Sequence, residues 1–271
     1  MTEYTLTSVD TEDGPLRVVH EGVGPHVVLL HPGALDLTVW DEMAAELAEN
    51  NHVVRFDARS HGESATAHRD HHPLDDLLRV LDALSINRAH LIGCSMGAVL
   101  AAEAAILAPQ RVNALTLIGG EVWPAEDDQD PFLAECEGEM AIAIEKGDGA
   151  RWIDAMVRLS VDGPMRAPDD VSPALRARIA VLLGNAVRRH AAATGQQLWA
   201  SVRHRLAEID VPTLVLVGEL DNAAVKATAE LIEREVDDAR RVLVKGVGHL
   251  TMLEAHQITM AEVHAHRTRL G

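Results

Sequence analysis

The chain has 271 residues, of which 47% are apolar, enough for two small domains or for one large domain with an insertion. Its formal net charge of −18 repels phosphate backbones and anionic lipid surfaces, which argues against a nucleic-acid partner and a membrane-surface role. Cys94 and Cys136 match neither a disulfide framework nor a zinc motif, and there is no basic leader or long apolar run, so we expect a soluble cytoplasmic protein.

Strands and helices alternate through the first 120 residues. The sequence predicts strands at 3–9, 16–20, 26–31, 52–57, 88–94 and 111–120, and helices at 38–49, 73–86 and 95–108. The apolar runs HVVLLH and HVVRFD are typical of strands buried on both faces. This alternation indicates a mostly parallel sheet with helices on both of its faces.

The alternation stops between residues 122 and 200 and then resumes. Helical patterns are predicted at 132–146, 149–160 and 173–194; after them come a strand at 211–219, a helix at 223–236, a strand at 239–245 and a helix from about 253. We therefore predict an α/β fold with an eight-stranded, mostly parallel sheet. Residues 1–121 and 201–271 would form its core, and residues 122–200 a helical cap inserted into it.

The stretch LIGCSMGAV, residues 91–99, places Ser95 between two glycines, where a predicted strand turns into a predicted helix. A nucleophile at such a tight turn needs small neighbours, and the helix N-terminus offers N–H groups to a developing oxyanion. The pattern predicts a nucleophile elbow centred on Ser95. Cys94 is the alternative nucleophile, but strand alternation turns its side chain away from the tip, and we interpret it as a core residue.

A serine nucleophile needs a base, and the base needs an orienting acid. Of fifteen histidines, His249 stands apart because it follows the strand at 239–245, at the sheet edge where α/β proteins bind their ligands. Asp221 follows the strand at 211–219 at the same edge. Glu219 is the rival acid, but it lies closer to the strand end, so we favour Asp221.

Five segments resemble the α/β-hydrolase superfamily: LLHPGALDLTVW, FDARSHGES, LIGCSMG, VPTLVLVGELD and GVGHLTMLE. The order Ser95, Asp221, His249 is also the order of catalytic residues in that superfamily. The resemblance covers essentially the whole chain. Within the superfamily, the capped layout and the segment VDGPMRAP are similar to 3-oxoadipate enol-lactonase and related small esterases.

The resemblance also implies where an oxyanion would bind. The matching donors are the backbone N–H groups of Gly33, in the loop after the third strand, and of Met96, the residue after the nucleophile. Here the loop has Pro32 where the family usually continues from histidine to glycine. Proline removes one N–H and restricts His31, so we expect an altered loop shape with the Gly33 donor retained.

Two polar segments are interpreted as structural. In FDARSHGES, we expect Asp57, Arg59 and His61 to brace the loop near the site. The stretch AHRDHHPLDD, residues 67–76, invites comparison with a metal site, but its spacing matches no metal motif. We predict no metal there but a solvated loop that leads into the next helix, which Asp75 or Asp76 helps to start.

The predicted cap leaves substrate recognition open. Trp123, Trp152 and Trp199 are interpreted as pinning the cap to the core or as lining a substrate pocket. The pocket residues that we predict are His31, Trp123 and Trp152. Arg151, Arg158 and Arg166 would either receive a substrate carboxylate or lie on a solvated helix face.

The resulting prediction is a serine hydrolase that cleaves a small-molecule carboxylic ester or lactone without a metal or organic cofactor. The same triad also serves carbon–carbon bond hydrolysis, cofactor-free peroxidation and acyl transfer, and these stay open as alternatives. A non-catalytic ligand-binding protein of the same fold is a further alternative. The oligomeric state stays open too, with a homodimer among the alternatives.

Overall fold

A computed structural model of the chain describes residues 4–122 and 130–269. Its strands are β1 (Thr5–Thr11), β2 (Gly14–Glu21), β3 (His26–Leu30), β4 (His52–Phe56), β5 (Ala89–Cys94), β6 (Val112–Ile118), β7 (Thr213–Gly218) and β8 (Ala239–Val244). Within the described residues they form one sheet in the order β1-β2-β4-β3-β5-β6-β7-β8. β2 pairs antiparallel with β1 and with β4, and every other pairing is parallel. The predicted eight-stranded, mostly parallel sheet is confirmed.

Helices cover both faces of this sheet. In the core they are α1 (Asp41–Leu47), α2 (Pro73–Ala83), α3 (Met96–Leu107), α7 (Ala223–Glu235), α8 (Thr251–Glu254) and α9 (His256–Thr268). Strand β3 shows why two layers are needed: Val28 and Leu30 join one apolar cluster, while Val27 and Leu29 join the other. Because successive side chains of a strand point to opposite faces, an all-apolar strand must be covered on both sides.

Three further helices lie between β6 and β7: α4 (Pro131–Lys146), α5 (Gly149–Val157) and α6 (Pro173–His190). Their starts follow from capping residues. The side chains of Asp130, Asp148 and Ser172 accept backbone N–H groups of the first turns of α4, α5 and α6. We keep residues 122–200 as a proposed cap. Among the described helices, none has both the length and the apolar content that crossing a membrane requires.

Element boundaries differ from the predicted ones where local turns intervene. The helix predicted at 38–49 is a 3-10 turn, Leu37–Trp40, followed by α1, because the carboxylate of Asp36 caps the turn by accepting the N–H of Thr38. The strand predicted to reach residue 120 ends at Ile118, since Gly119 has a φ of +54°. These shifts leave the functional edge intact: β5 to β8 are parallel, so their carboxyl ends meet at one side of the sheet.

Candidate active site

Ser95 lies at the turn between β5 and α3 in a strained backbone conformation. Its φ of 52° and ψ of −117° lie in a region of backbone conformation that residues other than glycine rarely adopt. The surrounding structure holds it there: its N–H donates to the carbonyl of Ile118 on neighbouring β6 at 2.9 Å, and its carbonyl accepts the N–H of Ala98 at 2.8 Å. Such an overdetermined strained residue is typical of a functional position.

The flanking glycines are needed because the turn has no room for a side chain. A Cβ on Gly93 would overlap with the carbonyl of Gly97, and a Cβ on Gly97 would overlap with the carbonyl of Leu30 on β3. The Gly-x-Ser-x-Gly pattern is therefore explained by close backbone packing between β5, α3 and β3.

His249 and Asp221 are joined at the same edge of the sheet. The imidazole Nδ1 lies 3.0 Å from Asp221 Oδ2 and 3.2 Å from Oδ1, and the two side chains are 12% and 2% exposed. A carboxylate can only accept, so Nδ1 carries the proton and Nε2 is left as a base. Asp221, not the rival Glu219, holds the imidazole; the carboxylate of Glu219 accepts the N–H of Gly246 instead.

The histidine also lies against the strand next to the nucleophile. A Cβ on Gly119 would be 3.1 Å from His249 Nδ1 and 3.0 Å from its carbonyl oxygen, and Gly119 directly follows Ile118, the residue that accepts the Ser95 N–H. Among the described residues no hydrogen bond joins Ser95 Oγ to the imidazole. Catalytic hydrogen bonds of this kind often form only once substrate is bound.

The charges around His249 favour its protonated form. Burial alone would lower the pKa of His249, but the carboxylates of Asp221, Glu121 and Glu254 outweigh burial and raise it above its ordinary value. Burial raises the pKa of Glu121, which follows β6 at this edge. Sequence reasoning missed Glu121, although the rule that selected Asp221 and His249, a polar residue just beyond a parallel strand, would also have found it.

Cys94, the alternative nucleophile, is fully buried in β5. Burial raises the pKa of its thiol, and the charge of Asp221 raises it further, so the thiol stays protonated. Its surroundings favour the interpretation of Cys94 as a core residue.

Gly33 and Met96 lie side by side, as donors to a common oxyanion would. A Cβ on Gly33 would be 3.7 Å from the Cβ of Met96, and Met96 is the first residue of α3, so the helix does not use its N–H. His31 holds the loop: its Nε2 accepts the N–H of Ala58 at 3.0 Å and its Nδ1 donates to the carbonyl of Pro32 at 2.8 Å. With both ring nitrogens bound to backbone, the predicted role of His31 in a substrate pocket gains no support.

The segment FDARSHGES braces the loops around the site. Asp57 is fully buried and accepts the N–H groups of Leu37 at 2.7 Å and Glu63 at 2.8 Å. Arg59 forms a forked ion pair with Asp76, at 2.8 and 2.7 Å, and a further one with Asp13 at 3.0 Å.

The prediction of a solvated loop is wrong for part of the segment 67–76. Within the loop before α2, Ala67 is 1% exposed and His71 is 7% exposed. Asp75 and Asp76 lie in the first turn of α2, where acidic side chains favour the start of a helix, although neither provides a side-chain cap. The loop is partly covered because His71 forms a β-bridge with Gln197, its N–H donating to the carbonyl of Gln196 at 2.9 Å. On α2, the carboxylate of Asp76 is buried by its ion pair with Arg59.

We expect Arg59→Met to destabilise the protein by about 3–5 kcal/mol, because it leaves the two buried carboxylates of Asp76 and Asp13 without their cation. Urea denaturation measures this as a lower midpoint at unchanged slope. Arg205→Met is the matched control: Arg205 pairs with Glu208 on the surface, and we expect a much smaller loss of stability. Equal effects of the two substitutions would contradict the prediction.

A cleft of about 480 Å³ lies between the helices α4, α5 and α6 and the loops of the core. Its lining includes Ala34, His61, Ile144, Trp152, Val187 and His190. Ala34 adjoins Gly33, so the cleft reaches the loop that carries the first candidate oxyanion donor. Trp152 lines the cleft and packs on the core, Trp199 is half-buried against the core, and Trp123 lies outside the described residues.

The three arginines of the proposed cap each have a carboxylate partner within the chain. Arg151 pairs with Glu139 at 2.7 Å, Arg158 with Glu135 at 2.8 and 3.0 Å, and Arg166 with Glu254. These pairs give no support to the interpretation that the three arginines receive a substrate carboxylate. A solvated helix face suits Arg151 and Arg158, but both interpretations are wrong for Arg166, whose side chain is 8% exposed.

Comparison with known proteins agrees with this geometry. Residues 25–256 match the model of the alpha/beta hydrolase fold family. Pimeloyl-acyl-carrier-protein methyl ester esterase of Aeromonas hydrophila is 25% identical over 236 residues, 87% of this chain and 92% of that protein. 3-Oxoadipate enol-lactonase 1 of Acinetobacter baylyi is 24% identical over 234 residues, 85% and 84% of the two chains.

A solved structure of similar fold is that of a hydrolase from Pseudomonas aeruginosa PA01, with a TM-score of 0.78, 25% identity, and coverage of 97% of this chain and 98% of the other. These findings confirm the predicted resemblance and the prediction of an enzyme of this class. Since the family model spans most of its length, the chain belongs to the alpha/beta hydrolase fold family.

Proposed function

We propose that this protein is a serine hydrolase that cleaves a small carboxylic ester or lactone through an acyl-enzyme on Ser95. The observation that carries the proposal is the strained Ser95 at the strand–helix turn, next to a strand whose end is covered by an imidazole held by Asp221. Two relatives are named as a methyl ester esterase and an enol-lactonase, which supports ester or lactone cleavage.

The mechanism assigns one step to each group. His249 Nε2 takes the proton of Ser95 Oγ as that oxygen attacks the substrate carbonyl, and Asp221 stabilises the imidazolium that forms. The N–H groups of Gly33 and Met96 bind the oxyanion. His249 then gives the proton to the leaving oxygen, which departs as an alcohol or, in a lactone, stays attached to the acyl group. Water activated by His249 releases the acid and restores Ser95.

Fluorophosphonate labelling tests the proposal directly. We expect stoichiometric labelling of the purified protein, located on Ser95 by peptide mass mapping, together with turnover of a p-nitrophenyl ester or a simple lactone. Labelling without turnover of esters or lactones, but with cleavage of a diketone, peroxidation or acyl transfer, would assign the same triad to one of those reactions. No labelling and no turnover would favour a non-catalytic ligand-binding protein.

We further propose that the part of the substrate held by the cleft is uncharged. The walls are largely apolar, and burial lowers the pKa of His61 to about 3 and also lowers that of His190, so both imidazoles are neutral at neutral pH. Among the described lining residues, only Asp148 is then charged, and it is negative. A substrate carboxylate would lose its hydration there without gaining a cation.

We therefore expect kcat/KM for p-nitrophenyl butyrate to exceed that for mono-p-nitrophenyl glutarate by at least about tenfold, because the second ester ends in a carboxylate. Val187→Arg, which places a cation in the cleft wall, is expected to narrow this ratio. Val181→Arg is the matched control on the exposed side of α6 and should leave the ratio unchanged. A wild-type preference for the anionic ester would contradict the proposal.

A further inference from the structure

A short segment of the proposed cap contacts both loops that carry the candidate acid and base. The segment, residues 161–166, begins inside the single π-helical turn, Arg158–Asp162, that follows α5. We call it the 161–166 brace. Interruptions of an α-helix of this kind occur frequently at functional sites.

The first contact is a buried ion pair. The guanidinium of Arg166 donates from Nη1 and Nη2 to the carboxylate of Glu254 on α8, with Nη2 lying 3.3 Å from Oε1. The two side chains are 8% and 7% exposed. The same guanidinium donates to the carbonyls of Asp162 at 2.9 Å and Val161 at 2.5 Å. These bonds join the last residue of the brace to its first two residues.

Glu254 also binds the loop that carries His249. Its Oε1 accepts the N–H of Gly248, the residue before His249, at 3.0 Å. The guanidinium also lies directly against the loop, because a Cβ on Gly248 would overlap with Arg166 Nη2. The position of the His249 backbone is therefore defined from the cap side through Arg166 and Glu254.

The second contact is with the loop that carries the acid. Gly163 has a φ of +72°, and a Cβ there would lie 3.0 Å from the carbonyl of Leu220, the residue before Asp221. The N–H of Leu220 donates in turn to the carbonyl of Val247 at 2.9 Å, which joins the two loops to each other. The brace thus touches a unit that contains both candidate residues.

The brace is itself anchored to α6. The carboxylate of Asp162 accepts two hydrogen bonds from Arg176, at 2.7 and 3.0 Å, and is 3% exposed. A forked pair of this kind fixes orientation as well as distance. Movement of α6 would therefore be transmitted to the His249 loop.

We propose that Arg166 and Glu254 are positioning residues, whose ion pair sets the imidazole of His249 against Ser95 for proton transfer. The inference rests on the proposed function of this site. Burying two charges has a large desolvation cost, so such a pair is weak evidence for stability. Its extra bond to Gly248 N–H instead ties the pair to the geometry of the catalytic loop.

Arg166→Met tests the pair from the cap side. We expect kcat for a small p-nitrophenyl ester to fall at least about tenfold with KM changed less than about twofold, because misplacing the base affects proton transfer more than binding. The carboxylates facing His249 are Asp221, Glu121 and Glu254, and unpairing Glu254 strengthens its effect. The acid limb of the pH–rate profile should therefore move to higher pH.

Glu254→Gln tests it from the core side with less risk to folding, because the amide oxygen still accepts the N–H of Gly248. Loss of the carboxylate charge should move the acid limb to lower pH, opposite to the shift in Arg166→Met. Arg166→Lys keeps the positive charge but lacks the two N–H donors that bind the Glu254 carboxylate. Its kcat should therefore lie between those of Arg166→Met and the wild type. Arg158→Met is the matched control, since Arg158 begins the π-helical turn that leads into the brace but pairs with Glu135 on the surface.

The outcomes separate the two proposals. Arg166→Met that folds cooperatively with wild-type kcat and an unmoved acid limb would overturn the positioning role. If Arg166→Met does not fold, wild-type kcat in a folded Glu254→Gln, which also lacks the ion pair, overturns it instead. Wild-type protein that neither hydrolyses esters nor reacts with a fluorophosphonate would overturn the proposed function itself.

Discussion

Ser95→Ala is expected to lower kcat for a p-nitrophenyl ester by at least about a thousandfold, because it removes the oxygen that forms the acyl-enzyme. The remaining groups, the N–H donors of Gly33 and Met96 and the cleft, would still bind substrate and polarise its carbonyl. We therefore expect KM to change little and fluorophosphonate labelling to disappear. Initial rates at saturating ester, with the labelled peptide mapped by mass spectrometry, measure both effects.

Cys94→Ala is the control for this experiment, since it removes the neighbouring alternative nucleophile. The Cys94 thiol is buried and its pKa is raised by burial, so we expect labelling to persist and kcat to stay within about threefold of wild type. A fall of less than about tenfold in Ser95→Ala would contradict the assignment. Loss of labelling in Cys94→Ala alone would transfer it to the thiol.

The sheet could be predicted because the apolar composition of its strands indicates that they are buried on both faces. In β3 the run HVVLL is apolar on both faces, and in β5 all six residues, AHLIGC, are buried. A strand of this kind fits only the interior of a sheet that is covered on both sides. The elbow could be predicted for a related reason: Gly93 and Gly97 occupy positions where the backbone packing admits no side chain.

Polar contacts between distant segments could not be predicted in this way. Arg59 and Asp76 are separated by 17 positions in the chain, and Arg166 and Glu254 by 88. Neither spacing corresponds to a helix or strand period, so nothing in the local pattern marks these residues as partners. The sequence pattern therefore leaves Arg166 as a candidate to bind a substrate carboxylate, whereas its partner in the structure is Glu254, a carboxylate of the core.

The substrate side of the site shows the same limit. Trp152 could be singled out as one of a few aromatic residues, and it does line the cleft. His61 and His190 also line it, and among fifteen histidines neither has a distinguishing spacing. Their neutrality depends on burial, which arises only when α6 packs over the loop of the core.

Asp221→Asn is expected to lower kcat by about 10⁴-fold, the size of effect that a wrong histidine tautomer has in serine proteases. Asp221 Oδ1 accepts the N–H of Asn222 at 2.8 Å, so the amide oxygen of the variant would take that place. Its NH₂ group then occupies the Oδ2 position and donates to His249 Nδ1. The imidazole must carry its proton on Nε2, where it cannot accept the proton of Ser95.

The residual activity of this variant should also titrate differently. Burial lowers the pKa of His249 and the carboxylates, chiefly Asp221, raise it, so loss of the Asp221 charge lowers it. Since the active form is the neutral imidazole, the acid limb of kcat/KM should move to lower pH. Glu219→Gln removes the rival carboxylate, which is bound to Gly246 N–H, and should keep both kcat and the acid limb. A shift of the acid limb in Glu219→Gln but not in Asp221→Asn would make Glu219 the orienting acid. The imidazole of His249 would then have to leave the carboxylate of Asp221, which it now contacts at 3.0 Å.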